Sequence, residues 1–217
     1  MRHDDEIARR GVEGDTSWAL TASGLKLIFL KPDQRVIRIA DIARSLSKLC
    51  RFTGAPSQFY SVAQHSILVG SIIRDQMDEE GISAQTVEYW DQILAGLLHD
   101  AEEYVMGDVS SPLKACMGGK YNWIAAGIRR IIYERYMVDW SYHNAIVKMG
   151  DNKAILIERF YLMPEHPDWP KISAEEMEYS KPRLMGYEEA ERNYLTVVKS
   201  ALAIRNDLRD EAAKKVA

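Results

Sequence analysis

The apolar run Ile93-Leu94-Ala95-Gly96-Leu97-Leu98 leads directly into His99-Asp100, and this junction constrains the fold more than any other feature of the chain. A run of that kind at helical periodicity belongs in a core, so two residues able to ligate a metal stand at the edge of buried structure. Neighbouring residues on a helix point about 100° apart, and one ion shared by both must sit astride that helix and draw its other ligands from helices alongside. The pair therefore calls for a helical bundle. Ala95 and Gly96, one turn earlier, either let another helix approach closely or simply pack tightly.

Helical spacing recurs along most of the remaining sequence. Asp41 is expected to cap a first helix through Ile42, Leu46 and Leu49, running up to Arg51-Phe52-Thr53-Gly54, where Gly54 and Pro56 stop it. Ser61 caps a second, with Val62, Leu68, Val69 and Ile72 on one face together with His65 and an end near Gly81. A third runs from about Ala84 to Asp100, a fourth from about Tyr121 to Tyr136, and a fifth from about Tyr142 to Leu162 with Asp151 among Val147, Ala154 and Ile155. Pro164, Pro167 and Pro170 open a long loop over 164–186, and Tyr187 to about Asp210 reads as a final helix. The one strand signal is a hairpin, Leu25–Leu30 and Val36–Ile39 around a turn at Lys31-Pro32-Asp33-Gln34. Residues 1–16 are polar, carry Gly11 and Gly14, and predict a poorly ordered arm.

With 217 residues, 47% of them hydrophobic and 28% charged, the chain suits one domain over 1–217. The expected architecture is all-α, a bundle around a metal site with a small N-terminal β-hairpin. A net charge of -4 gives no electrostatic reason to expect a nucleic-acid duplex as partner, which normally calls for a clustered basic face. Cys50 and Cys116 fit neither a disulfide framework nor a CxxC metal motif. The segment Met1-Arg2-His3-Asp4-Asp5-Glu6 lacks an apolar signal core, and no stretch approaches the roughly 18 apolar residues of a membrane span, so a cytoplasmic protein with no membrane partner is expected.

His65, His99, Asp100 and Asp151 thus fall on apolar faces of three separate helices. A lone core histidine is usually hydrogen-bonded structure. A carboxylate in an apolar stripe is costlier and needs a cation or a hydrogen-bond donor. Glu103 lies four residues after His99 and three after Asp100, near any ion held there, where it has the chemistry to move a proton; Glu102, three after His99, shares that option, and a solvated helix-end acid is the plain alternative for both. Asp108 follows Gly107 in a turn and either makes an Asx-type backbone bond or faces a ligand. Arg51 either complements a helix C-terminus or grips a phosphate with its guanidinium fork. Lys114 is either solvated or a phosphate contact. Trp169 and Tyr187 either border a pocket or serve in packing.

The ordered set of a His, a later His-Asp pair and a final Asp resembles the HD-domain phosphohydrolases. The matching stretches are Ser61-Val62-Ala63-Gln64-His65-Ser66, Leu97-Leu98-His99-Asp100-Ala101-Glu102-Glu103 and Met149-Gly150-Asp151-Asn152-Lys153, and the resemblance covers residues 41 to 163. Cys50-Arg51-Phe52 and Glu103-Tyr104-Val105-Met106-Gly107-Asp108-Val109-Ser110-Ser111-Pro112-Leu113-Lys114 are most similar to the bacterial 5'-deoxynucleotidase branch and its phage relatives acting on deoxynucleoside triphosphates.

The resemblance implies one divalent metal (Zn, Mn, Co or Fe) on His65, His99, Asp100 and Asp151. It further implies catalytic roles for Glu103 and Asp108, substrate binding by Arg51, Phe52 and Lys114, and self-association as a homodimer. Phe52 stands where the deoxynucleotidase pattern has a tryptophan that helps exclude a ribose 2'-hydroxyl, so deoxyribose preference does not carry over. The expected activity is hydrolysis of a nucleotide, foremost a nucleoside 5'-monophosphate. Triphosphate release from a nucleoside triphosphate and a non-catalytic metal- or nucleotide-binding module are the alternatives.

Overall fold

The computed structural model describes residues 17–143, 145–169, 171–173, 177 and 179–216. The predicted arm over 1–16, and Pro170 of the predicted loop, lie outside the described residues. The described chain is mostly helical, with α1 (Ile39–Leu46), α2 (Val62–Glu79), α3 (Val87–Leu97), α4 (Glu103–Met106), α5 (Ser111–Met117), α6 (Gly119–Tyr136), α7 (Ile146–Leu162) and α8 (Tyr187–Val216). A short antiparallel hairpin of β1 (Trp18–Leu20) and β2 (Lys26–Ile28) precedes them, in register Trp18 to Ile28 and Leu20 to Lys26.

The hairpin lies one turn earlier than its expected position. Asp33 takes the Arg35 backbone N–H at 2.9 Å, so the segment after Pro32 closes into a 3₁₀ turn, Gln34–Val36, instead of a strand. Asp41 is likewise not a cap: it sits in the first turn of α1 and accepts the Ser23 hydroxyl at 2.7 Å.

The three helices that matter to the site meet at small residues. α2 packs against α3 and α7, and α3 packs against α7. A Cβ on Gly96 of α3 would collide with Ile73 Cδ1 of α2, and one on Gly150 of α7 would stand 3.0 Å from Ile73 Cγ1. Ile73 is fully buried, so a side chain at Gly96 would force it to shift, while one at Gly150 would crowd it. Ser61 caps α2 by accepting the Gln64 N–H at 3.3 Å, and Thr86 caps α3 by accepting the Tyr89 N–H at 3.3 Å. α7 stops at Leu162 because Met163 precedes Pro164 and is extended, at φ -101° and ψ 152°.

α8 covers α1, α2 and α3. It is anchored by Arg205, which donates to Asp91 Oδ1 at 2.9 Å and to the Tyr136 carbonyl at 2.8 Å. The described residues of 164–186 form neither helix nor strand. They are tied down where Met185 N–H donates to Gln64 Oε1 at 2.9 Å and where the Tyr161 hydroxyl donates to the Tyr179 carbonyl at 2.8 Å. No helix among the described residues is long and apolar enough to cross a membrane.

Candidate metal centre

α3 ends two residues before His99, not after Asp100 as its periodicity predicts. Its last carbonyls are taken by side chains: Ala95 O by the Tyr133 hydroxyl at 2.8 Å, Gly96 O by His99 Nδ1 at 2.7 Å, and Leu97 O by the Tyr194 hydroxyl at 2.8 Å. With those acceptors satisfied the backbone is free to turn, and His99 and Asp100 leave the helix together toward one point. The 100° helical spacing therefore does not hold the two side chains apart.

His65 reaches the same point from the first turns of α2 and Asp151 from α7. His65 Nε2 is 3.2 Å from His99 Nε2 and 3.7 Å from Asp100 Oδ2, and His99 Nε2 is 3.1 Å from Asp100 Oδ2. These three residues form a tight cluster of potential ligands. Asp151 Oδ1 stands slightly farther out, 3.3 Å from His65 Nε2 and 4.0 Å from His99 Nε2. Atoms bound at about 2.0–2.2 Å to one ion are separated by about 2.8–3.5 Å, which is close to the spacing seen.

The protonation pattern makes the case stronger than the distances. A carbonyl only accepts, so His99 Nδ1 carries its hydrogen to Gly96 O, and a carboxylate likewise takes the hydrogen of His65 Nδ1, which lies 2.6 Å from Glu158 Oε1. Both Nε2 atoms of the neutral rings are then bare, and they face each other and two carboxylate oxygens. Four acceptors converge with no donor among them. Only a cation or an added proton reconciles them, and two imidazoles with two carboxylates suit Zn, Mn, Co or Fe.

In the metal-free protein a proton takes that place. Burial and the Arg51 charge lower the His65 pKa, but Glu158 and Asp151 outweigh them and it is pushed up to about 9. A histidine raised above its ordinary value of 6.5 stabilises the metal-free fold fully below pH 6.5, and that contribution is lost as pH rises to about 9. Metal must displace this proton, so its affinity moves the opposite way. Titration with Mn²⁺ at pH 6.5, 7.5 and 8.5 is expected to show affinity rising by up to about tenfold per pH unit, with proton release on binding. A dissociation constant that ignores pH overturns the assignment of His65.

Arg51 is buried and sits outside α1, which ends at Leu46, so the helix-end role does not apply. It begins a separate 3₁₀ turn, Arg51–Gly54, held by a β-bridge from Cys50 to Ser61 and by Arg51 N–H donating to Tyr60 O at 2.9 Å. Phe52 and Thr53 follow it at φ 53° and φ 54°, a left-handed pair costing about 1–3 kcal/mol each. That strained turn aims the guanidinium inward: Nη1 lies 3.5 Å from Asp100 Oδ2 and Nη2 3.2 Å from Glu158 Oε2. The Phe52 ring lies 5.3 Å from the Arg51 guanidinium carbon.

Glu102 and Glu103 diverge. Glu102 is committed to Arg129, whose Nε donates at 2.9 Å and whose Nη2 makes a second, shorter contact. Glu103, opening α4, accepts from Lys114 Nζ at 3.2 Å through Oε1 and leaves Oε2 buried without a partner. Burial, reinforced by Asp100 and Asp108, pushes Glu103 up to about 10 in the metal-free protein. Asp108 is also raised, by burial first, and acts electrostatically on Arg51 and Glu103. Trp169 lines a cavity of about 610 Å³ on the far side of α7, bordered by none of the four ligand candidates. Tyr187 is half exposed and faces Lys48.

Glu158 is the site residue that the sequence reading lacks. It falls seven residues after Asp151, two turns along the same helix face, and is fully buried. A second carboxylate on an apolar stripe is a readable signal.

No family model matches the chain. It is 40% identical over 107 residues to an uncharacterized protein of Rhodobacter capsulatus, covering 48% of this chain and 50% of that protein. It is 34% identical over 120 residues to the uncharacterized protein YfdR of Escherichia coli, covering 55% of this chain and 58% of that one. The chain thus spans about half the length of these curated relatives.

Proposed function

We propose that this chain is a metal-dependent phosphohydrolase of the HD-domain type that cleaves a nucleoside 5'-monophosphate to nucleoside and orthophosphate. The observation that carries the reading is the convergence of His65 Nε2, His99 Nε2, Asp100 Oδ2 and Asp151 Oδ1 on one point, beside the buried, half-unpaired carboxyl of Glu103. A divalent ion held there would polarise a phosphoryl oxygen and lower the pKa of water. Glu103 is placed to handle a proton, Arg51 to orient phosphate oxygens with its fork, and Lys114 to offset charge. A module that merely holds metal has no use for an acid buried with an empty oxygen, which favours the catalytic reading.

Charge balance favours the monophosphate. Arg51 and Lys114 are the cations on Asp100 and Glu103, each already sharing charge with an acid, while Arg129 is taken by Glu102. A monophosphate brings about two negative charges, which the divalent ion alone matches, whereas a triphosphate brings about four and would need the full charge of both shared cations as well. The test is a panel of ribo- and deoxyribonucleoside mono- and triphosphates with Mn²⁺, Co²⁺ or Zn²⁺, measuring orthophosphate and triphosphate separately. Metal-dependent orthophosphate release from monophosphates is expected. Triphosphate release moves the reading to the alternative substrate, and no hydrolysis with any metal rejects an enzyme.

Arg51→Lys in the same assay keeps the charge and loses the fork. It is expected to reduce kcat/KM by about 10–100-fold, the worth of a charge-assisted hydrogen bond. Because Arg51 is buried between Asp100 and Glu158, stability falls in any Arg51 variant, and the diagnostic is a rise in KM rather than the melting temperature. Unchanged KM removes the phosphate role.

A further inference from the structure

One carboxylate stands behind both halves of this site. Glu158 Oε1 accepts from His65 Nδ1 at 2.6 Å while Oε2 accepts from Arg51 Nη2 at 3.2 Å, and the residue is fully buried. An ionised carboxylate has only acceptors and can serve two donors at once. The two donors face different groups: His65 presents Nε2 to the cluster of potential metal ligands, and Arg51 reaches Asp100 Oδ2 with Nη1 at 3.5 Å.

We propose that Glu158 is a shared positioning residue, fixing the tautomer of His65 toward the metal and the guanidinium of Arg51 toward the phosphate, so that both sites are built on one side chain. This rests on the metal-centre reading above. Asp100 supplies the reason that sharing matters. Its Oδ2 is 3.1 Å from His99 Nε2 and 3.5 Å from Arg51 Nη1, so it is open both to the ion and to Arg51. Glu158 holds the other arm of the guanidinium. Without that hold Arg51 turns onto Asp100 and competes with the metal for the same oxygen.

Glu158→Gln separates the roles by chemistry. Its carbonyl can accept from one of the two donors, and its NH₂ then faces the other, donor against donor. The experiment titrates the full metal-free chain with Co²⁺ alone, following its visible spectrum, and then adds inorganic phosphate to the Co²⁺-loaded protein. Glu158→Gln is expected to bind Co²⁺ about 10–100-fold more weakly, as when a partner behind a ligating histidine is lost. Its phosphate response is expected at tenfold or more higher phosphate. Arg51→Met should weaken the phosphate response and leave Co²⁺ binding unchanged, since Glu158 already keeps the Arg51 guanidinium from competing for Asp100 in the wild type.

A Glu158→Gln variant that matches wild type in either titration overturns the inference. A wild type that takes up no Co²⁺ overturns it together with the metal centre, whereas absent nucleotide hydrolysis leaves both titrations readable. Should the variant fail to fold, ¹⁵N NMR of the wild-type histidines decides in its place. In the Zn²⁺-loaded protein, where the metal has displaced the second proton, His65 is expected to keep its hydrogen on Nδ1 toward Glu158, and a hydrogen on Nε2 overturns the inference.

Discussion

His99→Ala is expected to abolish stoichiometric metal binding while leaving the helical fold in place. His99 Nε2 is close to three of the converging atoms, 3.2 Å from His65, 3.1 Å from Asp100 and 4.0 Å from Asp151, so its loss opens the cluster at its middle. The affinity loss should exceed the about 10–100-fold that follows removal of a group merely hydrogen-bonded to a ligand. The structural cost is smaller. The Nδ1–H bond to Gly96 O disappears, worth about 0.5–1.5 kcal/mol, while the Tyr133 and Tyr194 bonds still finish α3. Asp151→Ala should weaken metal binding less, because Asp151 stands farther out. His166→Ala, a change at an exposed histidine, should have no effect. Elemental analysis of the purified proteins and a Mn²⁺ titration measure all three, and undiminished metal in His99→Ala rejects the centre.

Local sequence carries the parts of the fold that local physics decides. The Ser61 cap, the stop at Gly81 with φ +71°, the end of α7 before Pro164 and the stripes that hold His65 and Asp151 all follow from spacing and side-chain type. The break of α3 at Leu97 does not. It is made by Tyr133 and Tyr194, 38 and 97 residues from the carbonyls they bond, and a pattern that stays apolar through Leu98 gives no local sign of it. Position 51 misleads for a related reason: Ile42, Leu46 and Leu49 keep helical spacing, but Leu49 lies beyond the end of α1. Its carbonyl instead accepts the Val62 N–H at 3.0 Å, which starts α2. Missing strand β1 is a matter of length, since three residues carry too little alternation to read. The helix Ser111–Met117, starting at Pro112 in its first turn and burying none of its residues, shows no apolar face to detect.

The remaining large effect is expected at Glu103. Glu103→Gln should keep metal content and melting temperature near wild type and reduce kcat by about 10²–10⁴-fold, the usual contribution of a group that moves a proton. The amide matches the carboxyl in shape, and its carbonyl can still accept from Lys114 Nζ where Oε1 does at 3.2 Å, so packing is preserved and only proton transfer is lost. Burial holds Glu103 up to about 10 in the metal-free protein, with Asp100 and Asp108 adding to it and Lys114 working against it. A divalent cation in the cluster favours the ionised carboxylate and brings the group down toward neutral pH, where it can exchange a proton during turnover. The variant should therefore lose one limb of the kcat–pH profile as well as rate. Lys114→Met gives the complementary result: removing the charge that lowers Glu103 shifts that limb to higher pH, with metal content unchanged. Turnover near wild type in Glu103→Gln would pass the role to Asp108, because Glu102 is occupied by Arg129.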